Sequence, residues 1–299
     1  MVDLLIIGSG PAGLSAAVYA KRANLNVLVL EKVYCGTGQI AESSQVDNYL
    51  GFVGINGYEL GEKFRLHAVN LGAEFKPGEA VSFEATGEGW KVQCSNGDII
   101  EAKAVIYAAG AMHRHLGVPG EEEFAGKGVS YCATCDGAFF RNKDAAVIGG
   151  GNTAMDDALY LSDICTKVYL IHRRDTFRGS AKTLEKIRQK ENIEVVTPAQ
   201  IAKIEGEDKV CSVELGDGRV LQVDGVFVAV GMIPQTDKIK EIVNLDDMKY
   251  VIADETGKTS AQGFFVAGDV RTKPLRQVVT AVSDGANAAA AVVEYLNHE

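Results

Sequence analysis

The chain opens on four consecutive apolar residues, Leu4-Leu5-Ile6-Ile7, followed by Gly8-Ser9-Gly10-Pro11-Ala12-Gly13. Small and apolar residues then recur at helical spacing over residues 14–22, and a second apolar run covers residues 26–30. This pattern predicts strand, glycine turn, helix, strand. The same order returns at residues 145–148, Gly149-Gly150-Gly151-Asn152-Thr153-Ala154, a helix through Ser162, and residues 167–171. The copies agree further on. Asn96-Gly97 and Asp217-Gly218 each predict a hairpin turn, and residues 105–110 and 226–231 each predict an apolar strand ending in glycine, Gly110 and Gly231. Both copies therefore read as α/β domains of the Rossmann-like kind, a parallel sheet with a crossover helix and a β-hairpin layer. Near the end, residues 263–267 predict one more strand, closed by Gly268-Asp269, and residues 277–296 a long Ala-rich helix with no sheet of its own. If these complete the first domain, the second is inserted in it. The chain then crosses twice, within residues 113–120 and 232–240, both of which carry Pro or Gly. The expected division is 1–113 with 241–299, and 114–240.

Composition narrows the partners. A length of 299 residues with 46% hydrophobic is enough for two cores, and 33 Gly with 6 Pro is too little for a low-complexity chain. Thirty basic against 40 acidic residues give a net charge of −10, which repels nucleic acid and anionic lipid, so any basic site must be local. No apolar run approaches the ~18 residues of a membrane span, and the apolar start is too short for a signal peptide. A soluble cytoplasmic protein without nucleic-acid or membrane partners is expected. Of six cysteines, Cys35, Cys94, Cys132, Cys135, Cys165 and Cys211, only Cys132 and Cys135 are close in sequence, which argues against a structural disulfide framework.

The glycine loops suggest what the domains hold. A GxGxxG turn between strand and helix lets backbone N–H groups and a helix N-terminus approach a pyrophosphate, so Gly8, Gly10 and Gly13 in one copy, and Gly149, Gly151 and Ala154 in the other, are candidate phosphate-binding positions. Outside that context the same pattern is an ordinary tight turn. At the end of the next strand a carboxylate would accept hydrogen bonds from ribose hydroxyls, and Glu31 stands 23 residues after Gly8. The second copy reverses the charge at that offset, with His172-Arg173-Arg174 and then Arg178. Guanidinium forks grip a phosphomonoester, which points to NADPH and its 2′-phosphate in the second domain. The competing reading is a solvated cluster paired with Asp175 or Glu185. Because a 2′-phosphate would be repelled by Glu31, the first domain is expected to hold the other common dinucleotide, FAD.

Cys132-Ala133-Thr134-Cys135-Asp136 sets two thiols at a spacing that can close a reducible ring and lower one thiol's pKa. Asp136 beside the second sulfur could carry a proton. Half of a zinc site or an inert buried pair are the alternatives, but the other cysteines are scattered and no His pair has ligand spacing, so no metal is expected.

These residues together resemble the low-molecular-weight bacterial-type thioredoxin reductases, nearly end to end. The resemblance rests on Gly8-Ser9-Gly10-Pro11-Ala12-Gly13, Gly38-Gln39, Cys132-Ala133-Thr134-Cys135-Asp136, Gly149 to Ala154, His172-Arg173-Arg174 with Arg178, Gly268-Asp269-Val270 and Arg276-Gln277, in the family's order. It implies an FAD domain in two pieces, an inserted NADPH domain carrying the disulfide, and a homodimer. It also implies that Asn48 and Asp269 lie near the flavin and its ribityl chain, and that Arg276-Gln277-Val278 opens the last helix against the isoalloxazine edge. In the family pattern Cys135 meets the flavin, Cys132 exchanges with the protein substrate and Asp136 is the acid. The chain departs from the pattern over residues 32–37, including Cys35, and at Ala138.

The expected function is NADPH-dependent reduction, through FAD and the Cys132–Cys135 pair, of a thioredoxin or thioredoxin-like protein. Its rivals are a thiol oxidase, a reductase serving a peroxiredoxin system, and a redox-sensing binding protein without turnover. One inserted domain would carry both NADPH and the disulfide, and both need the same flavin, so rotation about the two crossings is expected during turnover.

Overall fold

The computed structural model describes residues 1–32, 37–43 and 45–298. It divides into two compact units, Met1–Met112 with Ile233–Glu299, and His113–Met232. The strip 233–240, expected with the second domain, belongs to the first unit, because Ile239 is buried in a core built on Leu5, Trp90 and Phe264.

The first unit begins with β1 (Val2–Ile7), α1 (Pro11–Arg22), β2 (Val27–Glu31), α2 (Gly57–Asn70) and β3 (Glu74–Pro77). It continues with β4 (Ala80–Thr86), β5 (Gly89–Cys94), β6 (Ile99–Tyr107) and β7 (Ala111–His113), which leads out of it. The second unit holds β8 (Val129–Ser130), α3 (Ala133–Asp136), β9 (Asp144–Ile148), α4 (Asn152–Ser162) and β10 (Lys167–Ile171). After these come α5 (Ala181–Arg188), β11 (Ile193–Val196), β12 (Ile201–Gly206), β13 (Val210–Leu215), β14 (Val220–Gln222) and β15 (Gly225–Val228). The return strand β16 (Met232–Pro234) pairs with β7, and β17 (Phe264–Val266) and α6 (Val278–Asn297) complete the first unit.

In the first unit β3, β2, β1 and β6 run parallel, and β17 adds alongside β6 in the same sense. The hairpin layer is not separate from this sheet. The nine residues of β6 pair near their start with β5 (Trp90 opposite Ala102) and near their end with β17 (Val266 opposite Tyr107). One strand thus serves both parts. Strands buried on both faces read as unbroken apolar runs, and β1 does so. Leu4 and Ile6 pack with the alanines of α1 and α6, whereas Leu5 and Ile7 pack with Trp90, Val92 and Phe264. In the second unit the parallel order is β11-β10-β9-β15-β8, with β12, β13 and β14 as a separate antiparallel sheet. Ala145 and Val147 face Met155 and Leu161 of α4, and Ala146 and Ile148 share a core with Ile201 and Val213. The two faces of β9 thus bind helix and hairpin layer by the strand's period of two.

Candidate functional site

In the first unit the chain turns from β1 into α1 through Gly8, whose φ is +109° and where a Cβ would stand 2.5 Å from the Ala108 carbonyl oxygen. Only glycine fits. Gly10 caps α1 without a side-chain hydrogen bond, Pro11 begins the helix, and its first turn has no acidic residue. A helix end left in that state is open to an anion. Ala12 and Gly13 lie buried beneath it, and Gly38 approaches so closely that its own Cβ would meet Gly10 Cα at 3.0 Å. Gln39 opens a short 3-10 turn beside Gly38. Of the loop expected to be unusual, residues 32–37, the stretch 33–36 with Cys35 lies outside the described residues.

Glu31 ends β2 and is 1% exposed. Arg65 on α2 donates to both of its carboxylate oxygens, at 2.6 and 3.0 Å, a fork that the sequence pattern did not disclose. Each oxygen keeps a second lone pair for another donor.

Around the start of α6 the structure gathers residues from distant parts of the chain. Asn48 Nδ2 donates to Gln277 Oε1 (2.9 Å), and Gln277 closes a capping box with Thr280 ahead of Val278. Arg276 lies over the Tyr250 ring at 4.0 Å and donates through Nε to the Asp269 carbonyl (3.4 Å). Asp269 Oδ1 is buried with no hydrogen-bond partner, and burial pushes its carboxyl above the usual range against the pull of Lys273 and Arg276. A buried, unpartnered oxygen next to a glycine cradle fits a group bearing hydroxyls, as FAD does. Gly110, which follows β6 before the first crossing, accepts the Gln235 N–H at 3.0 Å within the first unit.

Beneath this cluster lies an ionic core. The Asp284 carboxylate, 4% exposed, accepts from Arg271 Nε (2.9 Å) and Nη2 (2.8 Å), Lys273 Nζ (2.8 Å) and the Gly268 N–H (3.0 Å). In the sequence Asp284 is one of two acidic residues on an Ala-rich helix, and nothing there sets it apart from Glu294.

The second unit repeats the phosphate turn. At Gly149 a Cβ would stand 2.3 Å from the Ala229 carbonyl oxygen, and Gly151 caps α4 with no side-chain bond and no acidic residue in the first turn. Asn152 Oδ1 accepts the Ser180 N–H (2.8 Å), Thr153 is exposed and Ala154 is buried. His172 packs on the loop so closely that a Cβ at Gly150 would meet its ring at 2.3 Å, and its Nε2 is buried without a partner. Burial and the neighbouring arginines hold His172 below the ordinary imidazole pKa. Arg173, Arg174 and Arg178 are exposed, and none forms an ion pair with Asp175 or Glu185 among the described residues. Three free guanidinium groups beside a glycine loop fit a nucleotide that carries an additional phosphate.

The redox pair precedes that loop. Cys132 and Cys135 form a disulfide with their Cα atoms 5.3 Å apart, so neither sulfur is a metal ligand here. Cys132 caps α3, and its carbonyl accepts the N–H groups of Cys135 (3.2 Å) and Asp136 (3.1 Å). Ser130, 5% exposed, donates to Asp136 Oδ2 at 2.6 Å, and the Cys132 N–H donates to Ser130 Oγ at 3.1 Å. Burial raises the Asp136 carboxyl above its ordinary pKa, and the Ser130 bond opposes the rise. The arrangement is a reducible disulfide with a proton-carrying carboxyl next to it in sequence.

Comparison with known proteins agrees with this reading. The pyridine nucleotide-disulphide oxidoreductase family matches residues 2–285. The thioredoxin reductase of Treponema pallidum (strain Nichols) is 43% identical over 99% of this chain and 97% of its own, and that of Bacillus subtilis (strain 168) is 40% identical over 98% and 94%. The crystal structure of thioredoxin reductase from Streptococcus pyogenes MGAS5005 superposes with a TM-score of 0.95 at 40% identity, covering 100% of this chain and 99% of that one. No helix among the described residues is long and apolar enough to cross a membrane. The two glycine cradles, the disulfide and these matches together show that the chain belongs to the pyridine nucleotide-disulphide oxidoreductases, a family of FAD- and NADPH-dependent enzymes, within its thioredoxin reductase group.

Proposed function

We propose that this enzyme uses NADPH to reduce the disulfide of a thioredoxin or thioredoxin-like protein through FAD and the Cys132–Cys135 pair. The observation that carries the reading is a formed disulfide followed directly by a half-buried carboxyl, in the unit that also holds the arginine-flanked glycine loop. FAD, when bound, relays the two electrons of the NADPH hydride to the disulfide. In this reading Gly8, Gly10 and the α1 N-terminus hold its pyrophosphate, Glu31 its ribose, and Asp269 its ribityl hydroxyls. The α4 N-terminus holds the NADPH pyrophosphate, and Arg173, Arg174 and Arg178 hold the 2′-phosphate. Two electrons break the S–S bond, and the Cys132 thiolate attacks the substrate disulfide to form a mixed disulfide. Cys135 then displaces it, releasing the substrate dithiol and re-forming the original bond, with Asp136 handling the proton.

Steady-state NADPH oxidation with thioredoxin, against oxygen alone, tests the proposal. Sustained turnover that needs thioredoxin supports it. Equal turnover with oxygen alone would instead make a thiol oxidase, a single stoichiometric reduction a sensor, and activity confined to a peroxiredoxin-linked partner a reductase of that system. A cytoplasmic homodimer completes the reading, and light scattering on the purified holoenzyme would reveal the dimer mass.

Losing a charge-assisted fork to a phosphate costs ~1.5–3 kcal/mol, or roughly ten- to hundredfold. Arg173→Ala and Arg174→Ala should each lose about that factor in kcat/KM for NADPH with little change for NADH. Equal losses for the two nucleotides would remove these arginines from the 2′-phosphate.

A further inference from the structure

Ser130 lies outside both cysteine and nucleotide motifs, yet its one hydroxyl makes two bonds at the redox pair. It donates to Asp136 Oδ2 at 2.6 Å while accepting the Cys132 N–H at 3.1 Å. A second acceptor, the Cys132 carbonyl, lies farther off at 3.4 Å, so the hydroxyl hydrogen goes to the carboxyl. The serine ends β8, which pairs in register with β15 (Phe227 opposite Ser130), and it is buried. Its position is therefore set by the sheet and not by the loop that carries the sulfurs.

We propose that Ser130 is a positioning residue for thiol–disulfide exchange, whose hydroxyl links the acid Asp136 to the Cys132 backbone and stabilises the carboxylate formed when Asp136 gives up its proton. The proposal rests on the reading of Asp136 as the acid. In the step concerned, the Cys132 thiolate forms a bond to one substrate sulfur while the substrate S–S bond breaks. The departing sulfur takes the Asp136 proton, and the new carboxylate charge appears where the Ser130 O–H already points. A donor aimed in advance at developing charge needs no reorganisation at that moment. The hydroxyl also fixes the backbone on the N-terminal side of Cys132, so acid and nucleophile share one anchor.

The surroundings leave Ser130 as the main polar influence on this carboxyl. Strand β15 carries no charged residue, and neither does the turn Gly137–Phe140. Helix α4 packs on α3 and carries Asp156 and Asp157. Burial and the Asp156 charge push Asp157 up to about 7, but Asp136 responds to burial and Ser130 alone. The two thiols join this set once the disulfide is reduced.

The test is the pH profile of kcat with thioredoxin for the wild-type holoenzyme, Ser130→Ala, Ser130→Thr, Asp136→Asn and Asp157→Asn. Ser130→Gly repeats the deletion should the alanine variant fold poorly. Asp136→Asn should erase the limb that belongs to the acid, and Asp157→Asn should leave it in place. A hydrogen bond to a charged group corresponds to about one to two pKa units, so Ser130→Ala should move that limb to higher pH by about that much. KM for thioredoxin should hold, and Ser130→Thr should bring the limb back. A limb that survives Asp136→Asn overturns Asp136 as the acid and this proposal with it. A limb that vanishes in Asp136→Asn but stays in place in both Ser130→Ala and Ser130→Gly overturns the role of Ser130 alone.

Discussion

Cys132→Ser and Cys135→Ser should each lower reduction of a protein disulfide by roughly a thousandfold or more while NADPH still reduces the flavin. The selectivity follows from sequence of events, since the hydride reaches the flavin before either sulfur is needed. It also follows from the structure, because the two cysteines lie in α3 and its cap, apart from the Gly149 turn and the arginines. Losing one sulfur therefore leaves both nucleotide cradles intact. Stopped-flow absorbance of the flavin, read beside a thioredoxin assay on the same sample, separates the two half-reactions. If Cys135 is the sulfur that meets the flavin, Cys132→Ser should show a thiolate-perturbed flavin spectrum and Cys135→Ser should not. Loss of flavin reduction in both variants would contradict the account.

Asp284→Asn should destabilise the first unit by ~3–5 kcal/mol at neutral pH, since it leaves two buried cations sharing a neutral amide. Arg271 and Lys273 have side chains only 4% and 3% exposed, and the other acidic partner, Glu255, is 80% exposed. Burial opposes the Asp284 charge, but the hydrogen bonds and charges of Arg271 and Lys273 hold its carboxyl below the usual range. A folded-state pKa below the unfolded value contributes stability that is present above the unfolded pKa of ~4 and is lost as pH falls through the folded one. The gap between wild type and variant should thus be full at pH 7 and close in strong acid, which thermal unfolding of the FAD-free protein across pH would reveal. Because Asp284 also accepts the Gly268 N–H beside Asp269, the variant should retain FAD less tightly. An unchanged melting temperature at pH 7 would show that the cations find other partners.

What could be read from the sequence was local. The apolar runs before Gly8 and Gly149 and the repeated offset from glycine loop to Glu31 or His172 all depend on residues near one another in the chain. Ser130, Arg65 and Asp284 could not be found that way. Arg65 reaches Glu31 from α2 with its side chain only 12% exposed and its guanidinium over the Phe75 ring, but nothing in the periodicity of α2 distinguishes it from a solvated arginine. Asp284 works only because α6 lies over the Gly268 turn, a tertiary fact. The second crossing was expected to extend to 240 on the evidence of Pro and Gly, but burial of Ile239 draws that strip into the first unit. In the first unit the length of β6 joins the hairpin layer to the main sheet, a continuity that the turn signals do not disclose. The family resemblance named Asn48, Asp269, Arg276 and Gln277 together, and the structure brings Asn48 to Gln277 and Arg276 to Asp269.

In the proposed reaction Cys132 passes electrons to a protein disulfide by covalent exchange. The most direct measurement is mass spectrometry of the Cys135→Ser holoenzyme, reduced and mixed with a thioredoxin activated as a mixed disulfide at its surface cysteine. A one-to-one adduct bridged through Cys132 is expected, one that cannot resolve without Cys135 and that dithiothreitol releases. An adduct mapped instead to Cys211, or none while the wild-type enzyme turns over the same thioredoxin, would contradict that reaction.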